Sequence, residues 1–325
     1  MALRNPRKHI KSVLLMAIAA ALLLSSCNKD VKKLEGSSTA SVSSTDGALL
    51  PEPTGPAFEG ELTPPSIKAG SYVMEVSNLL TEVYTGSGAE DINRSKSDTY
   101  YFDFDLSEKD GRFNLKLNIS RYALVIVDEK GQTLDFDTNS DKYKDEEGAQ
   151  VYYSMVGKGF SATLNADGSV AGFSGLDEMI PANSKLSSVI TAEGMERMVQ
   201  DVFYALPNPL EGSSKYVVKS GEGEDALKVN YAIAARRGGK LGFSLQSDPV
   251  PMPEDPIIEK DRVITYKSIA PVAGTFWVNE SDRSLLEMAT IRKIFTVQEV
   301  TAGDTKQTFD VTTQYTGSTK ITLKG

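Results

Sequence analysis

The sequence predicts a mainly β protein (all-β or α+β), built on a curved antiparallel sheet with one or two amphipathic helices. Three observations predict it. Apolar and polar residues alternate over repeated stretches, glycine-containing or acidic turns separate those stretches, and one long segment changes to helical periodicity.

The clearest hairpin comes first. Tyr100, Phe102, Phe104 and Leu106 share one face of a strand while Tyr101, Asp103 and Asp105 share the other. After SEKDG, Phe113, Leu115, Leu117 and Ile119 alternate in the same way, as in a half-buried antiparallel pair. A second hairpin reads GFSATLNADGSVAGF (159–173), with Asp167-Gly168 supplying the positive φ of a tight turn. A third runs from Ala226 through RRGGK to Gln246, and a fourth spans 274–291 with its turn near Ser281 to Arg283. The stretch Gln307 to Leu323 alternates again around Thr316-Gly317, and DPVPMPEDP (248–256), with its four prolines, is a loop.

Between the two sets of hairpins, Met195, Met198, Val199, Val202, Phe203 and Leu206 recur at helical spacing. This predicts a helix over 191–206 with Thr191 as N-cap and Pro207 as stop. Leu176 to Ile180 add a shorter one. The segment GKGFSATLNADGSVAGF resembles AGTFWVNESDRSLLEM in its order of glycine, strand, acidic turn and strand, which suggests duplicated halves over 67–190 and 207–325.

The β-rich domain is expected to occupy 67–325. Residues 1–26 read as a secretory signal peptide, with Arg4, Arg7, Lys8 and Lys11 before an apolar run from Val13 to Leu24. That run is shorter than the roughly 20 residues a bilayer-spanning helix needs. Leu24-Ser25-Ser26-Cys27 resembles the lipobox of bacterial lipoproteins, which implies cleavage after Ser26 and lipidation of Cys27, the sole cysteine. Residues 27–66, rich in Ser, Thr, Gly and Pro, cannot bury enough apolar surface to offset their ordering entropy and read as a lipidated flexible tether. Its reach is about 35 Å. Asn28 stands where the bacterial sorting rule places an aspartate for inner-membrane retention, so the same resemblance implies the outer membrane.

Composition excludes several chemistries. The only histidine is His9, inside the signal peptide, so the mature chain has no imidazole and, with Cys27 acylated, no thiol. Histidine-activated serine or cysteine nucleophiles and His/Cys zinc sites are thereby excluded. No cofactor is predicted. Removing four basic residues with the signal peptide leaves 31 basic against 44 acidic side chains, a balance of −13 that argues against nucleic acid as a partner.

Carboxylate chemistry survives this census. Asp103 and Asp105 point the same way on one strand, although a solvated face accounts for them more simply. In DTNSDKYKDEEG (137–148), Asp137, Asn139, Asp141 and Asp145 fit the alternate ligand slots of a calcium loop, yet Lys142 occupies the glycine slot and Gly148 the glutamate slot. Both flanks of that stretch read as strand. It is expected to be a solvated loop with no metal. Trp277, the only tryptophan, is expected to pack in the sheet rather than form a sugar platform, and the methionines of the helix to pack on the sheet.

The lipobox around Cys27, the Ser/Thr/Pro tether, the repeated hairpins, FYALPNPLEGSSKY (203–216) and GTFWVNESDRSLLEM (274–288) together resemble a family of Bacteroidota outer-membrane lipoproteins of unassigned chemistry. The arrangement of strands and helices also resembles, at the level of fold, the open half-barrels of envelope lipid and lipoprotein carriers. The alternation, the amphipathic helix and the missing catalytic residue types lead to the expectation of a non-catalytic envelope lipoprotein, held at the membrane by its lipid and binding a hydrophobic ligand or an envelope protein partner on the concave face of its sheet. A glycan-related surface lipoprotein and a purely structural envelope protein are the alternatives.

Overall fold

The computed structural model describes residues 68–86, 91–166, 170–180, 190–203, 215–220, 227–250, 252–259, 262–281, 284–302 and 305–324. Ser26, Cys27 and the tether lie outside the described residues, as do Asp167-Gly168, Leu206 and Pro207.

Three long strands open the chain: β1 (Gly70–Gly86), β2 (Ile92–Lys109) and β3 (Arg112–Val127). Then come the short β4 (Thr133–Asp137), a 3-10 turn at Asp141–Tyr143, the one-turn helix α1 (Gln150–Tyr153), and the hairpin β5 (Gly159–Leu164) and β6 (Val170–Ser174). Helices α2 (Leu176–Met179) and α3 (Ala192–Phe203) follow. The rest is β7 (Lys215–Ser220), β8 (Leu227–Arg237), β9 (Lys240–Ser247), β10 (Ile257–Ile258), β11 (Arg262–Ile269), β12 (Ala273–Asn279), β13 (Leu285–Ala302) and β14 (Thr305–Leu323).

All fourteen strands belong to one open antiparallel sheet, so the mainly β expectation holds. Its order is β6-β5-β3-β2-β1-β14-β13-β12-β9-β8-β7, with β4 on β3, and β11 on β13 carrying β10. Followed outward from β1 and back inward to β14, the strands keep their chain order. The first and last strands therefore pair in the middle, from Tyr72↔Leu323 to Gly86↔Phe309. No described pairing joins β6 to β7, and α2 and α3 occupy the chain between those two edges. The sheet is open there and does not close into a barrel. Bulges at Tyr101/Phe102, Thr163/Leu164, Ile233/Ala235, Tyr266/Ser268 and Trp277/Val278 bend the strands and strengthen their twist.

Local chemistry explains the turns. Asp110 (φ 54°) and Gly111 (φ 73°) form a two-residue turn with both φ positive, the geometry that matches the twist of a hairpin. Gly238 (φ 57°) and Gly239 (φ 73°) repeat it between β8 and β9. Gly317 is no turn: it lies mid-strand in β14, between Asn78 and Thr290 on the neighbouring strands.

One apolar core fills the half of the sheet nearest the helices. Met74, Phe102, Phe104, Leu115, Leu117 and Phe160 from one arm meet Leu241, Phe243, Phe276 and Val278 from the other. Met195, Val199 and Val202 of α3 are buried among them, with Met198 and Phe203 half-buried, so the helix seats its predicted face on the sheet. Phe203 meets Phe104 edge to face at 5.7 Å, and Phe243 stacks on Phe276 at 4.6 Å. The α3 N-terminus is capped as expected, the Gly194 N–H donating to Thr191 Oγ1 at 3.0 Å.

Candidate functional site

The long strands extend past this core. On the face that carries Phe102 and Phe276, which we call the core face, the next row contains Asn78, Asp98, Gly317 and Thr290, and Leu124 continues it on β3. Beyond it stands the row Arg292, Tyr315, Leu80, Lys96 and Ile126. Ile294, Thr313, Glu82 and Arg94 form the row after that, followed by Tyr266, Thr296, Val311 and Tyr84. The helices pack principally on β5 and β6, so this stretch of the face is lined by strand side chains of mixed character.

Two buried charged groups mark the stretch. Asp98 is 1% exposed, accepts from Asn78 Nδ2 at 3.1 Å through Oδ2, and has no partner at Oδ1. Burial pushes its carboxyl up to about 6, against smaller opposing effects of the Asn78 hydrogen bond and Lys96. Arg292 is 4% exposed, with neither Nε nor Nη2 hydrogen-bonded. Burial lowers its pKa, while Tyr315 and Tyr266 oppose the shift. The Tyr315 hydroxyl is pushed up to about 12, by burial first and then by Glu82.

Two further groups of charges in this region are engaged with each other. Arg94 Nε donates to Glu82 Oε2 at 2.5 Å and its Nη2 to the Tyr84 hydroxyl at 2.5 Å. Arg262 donates to Glu259 through Nε at 3.0 Å and Nη2 at 2.5 Å, and to Gln298 Oε1 at 3.4 Å. Thr296 Oγ1, on the same face of β13 as Arg292, is buried without a partner.

The residues singled out from sequence lie elsewhere. Arg121 grips Asp137 through two guanidinium nitrogens, Nε at 3.0 Å and Nη2 at 2.5 Å, and stands over the Tyr101 ring at 4.6 Å. That hydrogen bond, followed in size by an opposing burial effect, lowers the Asp137 pKa. Asn139 donates its backbone N–H to Asp137 Oδ1 at 2.9 Å, and Asp141 pairs with Lys144 at 3.0 Å. The four residues Asp137, Asn139, Asp141 and Asp145 thus sit in a loop closed by local hydrogen bonds, and among the described residues no group of three or more His, Cys, Asp or Glu side chains converges. The loop's second flank is the helix α1, not a strand: Tyr152 and Tyr153 turn inward to meet Phe136 at 5.4 Å each, and Tyr152 stacks on Tyr122 at 5.1 Å.

Asp103 and Asp105 share the face opposite the core. Asp103 pairs with Lys324 at 2.9 Å, and Asp105 accepts from Ser71 Oγ at 2.5 Å. Trp277 packs in the sheet as expected. Its ring covers Gly242 on the facing strand, where an added Cβ would lie 2.9 Å from the ring.

Sequence reasoning missed Asp98 and Arg292. The signal was available in β13, where Thr290, Arg292, Ile294, Thr296 and Gln298 form one alternate set, but a lone arginine in such a set reads as a solvated charge.

A family model described as a family of unknown function (DUF6263) matches residues 110–209, from the β2–β3 turn past the end of α3. No curated protein matches the chain. Among solved structures, one concerned with lipid–protein interactions in lipovitellin is 11% identical, with a TM-score of 0.40 and 79% of this chain covered. The present chain spans only 25% of that one. An outer membrane channel from Pseudomonas putida F1 is 8% identical over 81% of this chain and 100% of its own, with a TM-score of 0.17. A DUF1329 family protein from Desulfovibrio piger ATCC 29098 is 8% identical over 75% and 84%, with a TM-score of 0.11. Among the described residues no helix is long and apolar enough to cross a membrane.

Proposed function

We propose that this chain is a non-catalytic lipoprotein of the cell envelope, attached to the outer membrane through acylated Cys27 after cleavage behind Ser26. Its β domain holds a hydrophobic ligand on the core face of the sheet. The observation that carries the ligand reading is the extension of that face past the helices, where Leu80, Ile126, Ile294, Tyr266 and Tyr315 remain half-buried and continuous with the filled core. These apolar side chains, interspersed with Arg292, Lys96, Glu82 and Arg94, gain when something covers them, and an open sheet leaves room for a ligand to do so. The anchor reading rests on the basic start, the apolar run and the small residues before Cys27.

The ligand reading is tested by native mass spectrometry of protein extracted from membranes, followed by titration of the delipidated protein with a fluorescent acyl probe. A co-purified apolar mass or saturable probe binding is expected. A bare mass together with no saturable binding overturns the reading. Cys27→Ala is expected to abolish labelling by an alkynyl palmitate and to move the protein to the aqueous phase of a detergent partition; a variant still membrane-bound and labelled removes Cys27 as the anchor.

A further inference from the structure

We propose that the core face of β13 around Arg292 is an anion-binding site that takes the paired oxygens of a carboxylate or phosphate headgroup on an acyl chain. The proposal rests on the apolar-ligand reading for its acyl portion and on Arg292 for its charge.

Among the described residues, Arg292 is a buried cation of this face with no ion-pair or hydrogen-bond partner at Nε or Nη2. Glu82, one row further along the face, is engaged by Arg94, and Asp98, one row toward the core, is held by Asn78, so neither supplies an ion pair to Arg292. A buried guanidinium without a partner is costly, since desolvation is not repaid by any ion pair or hydrogen bond. Replacing such a group by an apolar side chain of similar size is often neutral or stabilising, so its presence in a well-packed strand asks for a use.

The unpartnered atoms define the shape of what is missing. Nε and Nη2 lie along one edge of the guanidinium and direct two parallel N–H bonds, the fork that matches two oxygens of a carboxylate or phosphate. Thr296 Oγ1, also buried and unpartnered, adds a hydroxyl further along the same face of β13. Tyr315, directly opposite Arg292, and Tyr266, opposite Thr296, add two more. Both tyrosines have raised pKa values, burial being the first cause, so they stay protonated donors at neutral pH and do not repel an anion.

The surroundings suit an acyl chain behind the headgroup. Ile294 lies beyond Arg292 on the same face, and Leu80 stands across Tyr315. Toward the core, Gly317 presents no side chain between Asn78 and Thr290, where a Cβ would come within 3.1 Å of Thr290 Oγ1. A chain laid from Arg292 past Gly317 would lead to Met288, Phe276 and the aromatic core.

The experiment compares oleate, oleyl alcohol and an oleoyl lysophosphatidate on the delipidated full-length protein, on Arg292→Met and on Arg292→Lys. Wild type is expected to bind one or both anions about 10- to 100-fold more tightly than the alcohol, as a charge-assisted hydrogen-bond pair gives. Whichever anion binds tighter identifies the headgroup. Arg292→Met is expected to bind all three at the alcohol's affinity and to unfold at an equal or higher temperature than the ligand-free wild type. Arg292→Lys, which keeps the charge but loses the fork, is expected to retain part of the preference. Equal binding of anion and alcohol by wild type overturns the anion site and leaves the apolar-ligand reading standing. Binding of none of the three overturns the apolar-ligand reading; inorganic phosphate then decides the anion site alone, which stands if phosphate raises the melting temperature of wild type but not of Arg292→Met, and falls otherwise. A ligand-free Arg292→Met protein that melts well below wild type makes the arginine structural and also overturns the proposal.

Discussion

Asp98 shows how a single side chain can tie stability to pH. Its carboxyl is buried beside Asn78, and the neutral form suits that setting better than the ionised one. Because burial raises the folded-state pKa from 3.8 to about 6, the unfolded chain loses its proton first as pH rises. The stability that Asp98 contributes is therefore complete below pH ~4 and lost as pH rises through about 6, a change on the order of 3 kcal/mol at most. Asp98→Asn keeps an acceptor for Asn78 and cannot ionise. Urea unfolding of this variant is expected to show greater stability than wild type at pH 8, with the difference shrinking toward pH 4.5. Equal stability at pH 8 would mean that water or a cation already compensates the ionised carboxylate.

Two glycines carry a comparable burden at the scale of the element. Gly159 opens β5 and Gly274 lies at the start of β12, and at each an added Cβ would meet a facing backbone carbonyl, 2.1 Å from Leu117 O and 2.2 Å from Ala289 O. Backbone cannot yield as a flexible side chain does, so the strands must separate locally to admit a methyl group. Gly159→Ala and Gly274→Ala are each expected to cost about 2 to 3 kcal/mol, in the range of overpacking or lost ladder hydrogen bonds, as read from shifts in the urea midpoint. Gly172→Ala, whose Cβ would meet nothing within 4 Å, serves as the neutral comparison. An equal, small shift for all three would show that the sheet yields at these positions. Both glycines lie in the two segments whose likeness is visible in the sequence, Gly159 in GKGFSATL and Gly274 in AGTFWVN. Legibility followed solvation. The second half of β2, from Asp98 to Leu106, and the first half of β3 bury one face only, and their alternation is plain. β1 places buried Met74 and Asn78 with half-buried Val76 on the core face, while Val73, Glu75 and Leu79 on the other face are half-buried as well, and no binary pattern survives. Arg292 and Asp98 escaped for a related reason: a charge reads as solvent-facing until the facing strands and their own ion pairs are known.

At the scale of the whole molecule, the last strand is the least dispensable. Terminal segments usually tolerate trimming unless they are tied down by burial and backbone hydrogen bonds. Here β14 lies in the middle, paired with β1 on one side and with β13 on the other over nearly its whole length. It supplies Val311, Thr313 and Thr319 to the buried face and is the only described link between the two arms of the sheet through hydrogen-bonded strands. Ending the chain after Ala302 therefore leaves two long edges, β1 and β13, with unpaired backbone groups and a core divided between arms. Such a chain is expected to lose its cooperative urea transition and to be digested rapidly by a protease under conditions where the full domain resists. Ile258→Ser, at a 79% exposed position in the peripheral β10, removes apolar surface without touching that core and is expected to leave the urea midpoint within about 0.5 kcal/mol of wild type. A truncated chain that still unfolds in one sharp transition would mean that the arm formed by β1 to β6, together with α2 and α3, stabilises itself. The meeting of the arms at β1 and β14 would then be an addition to two independent folds rather than the closure on which one depends.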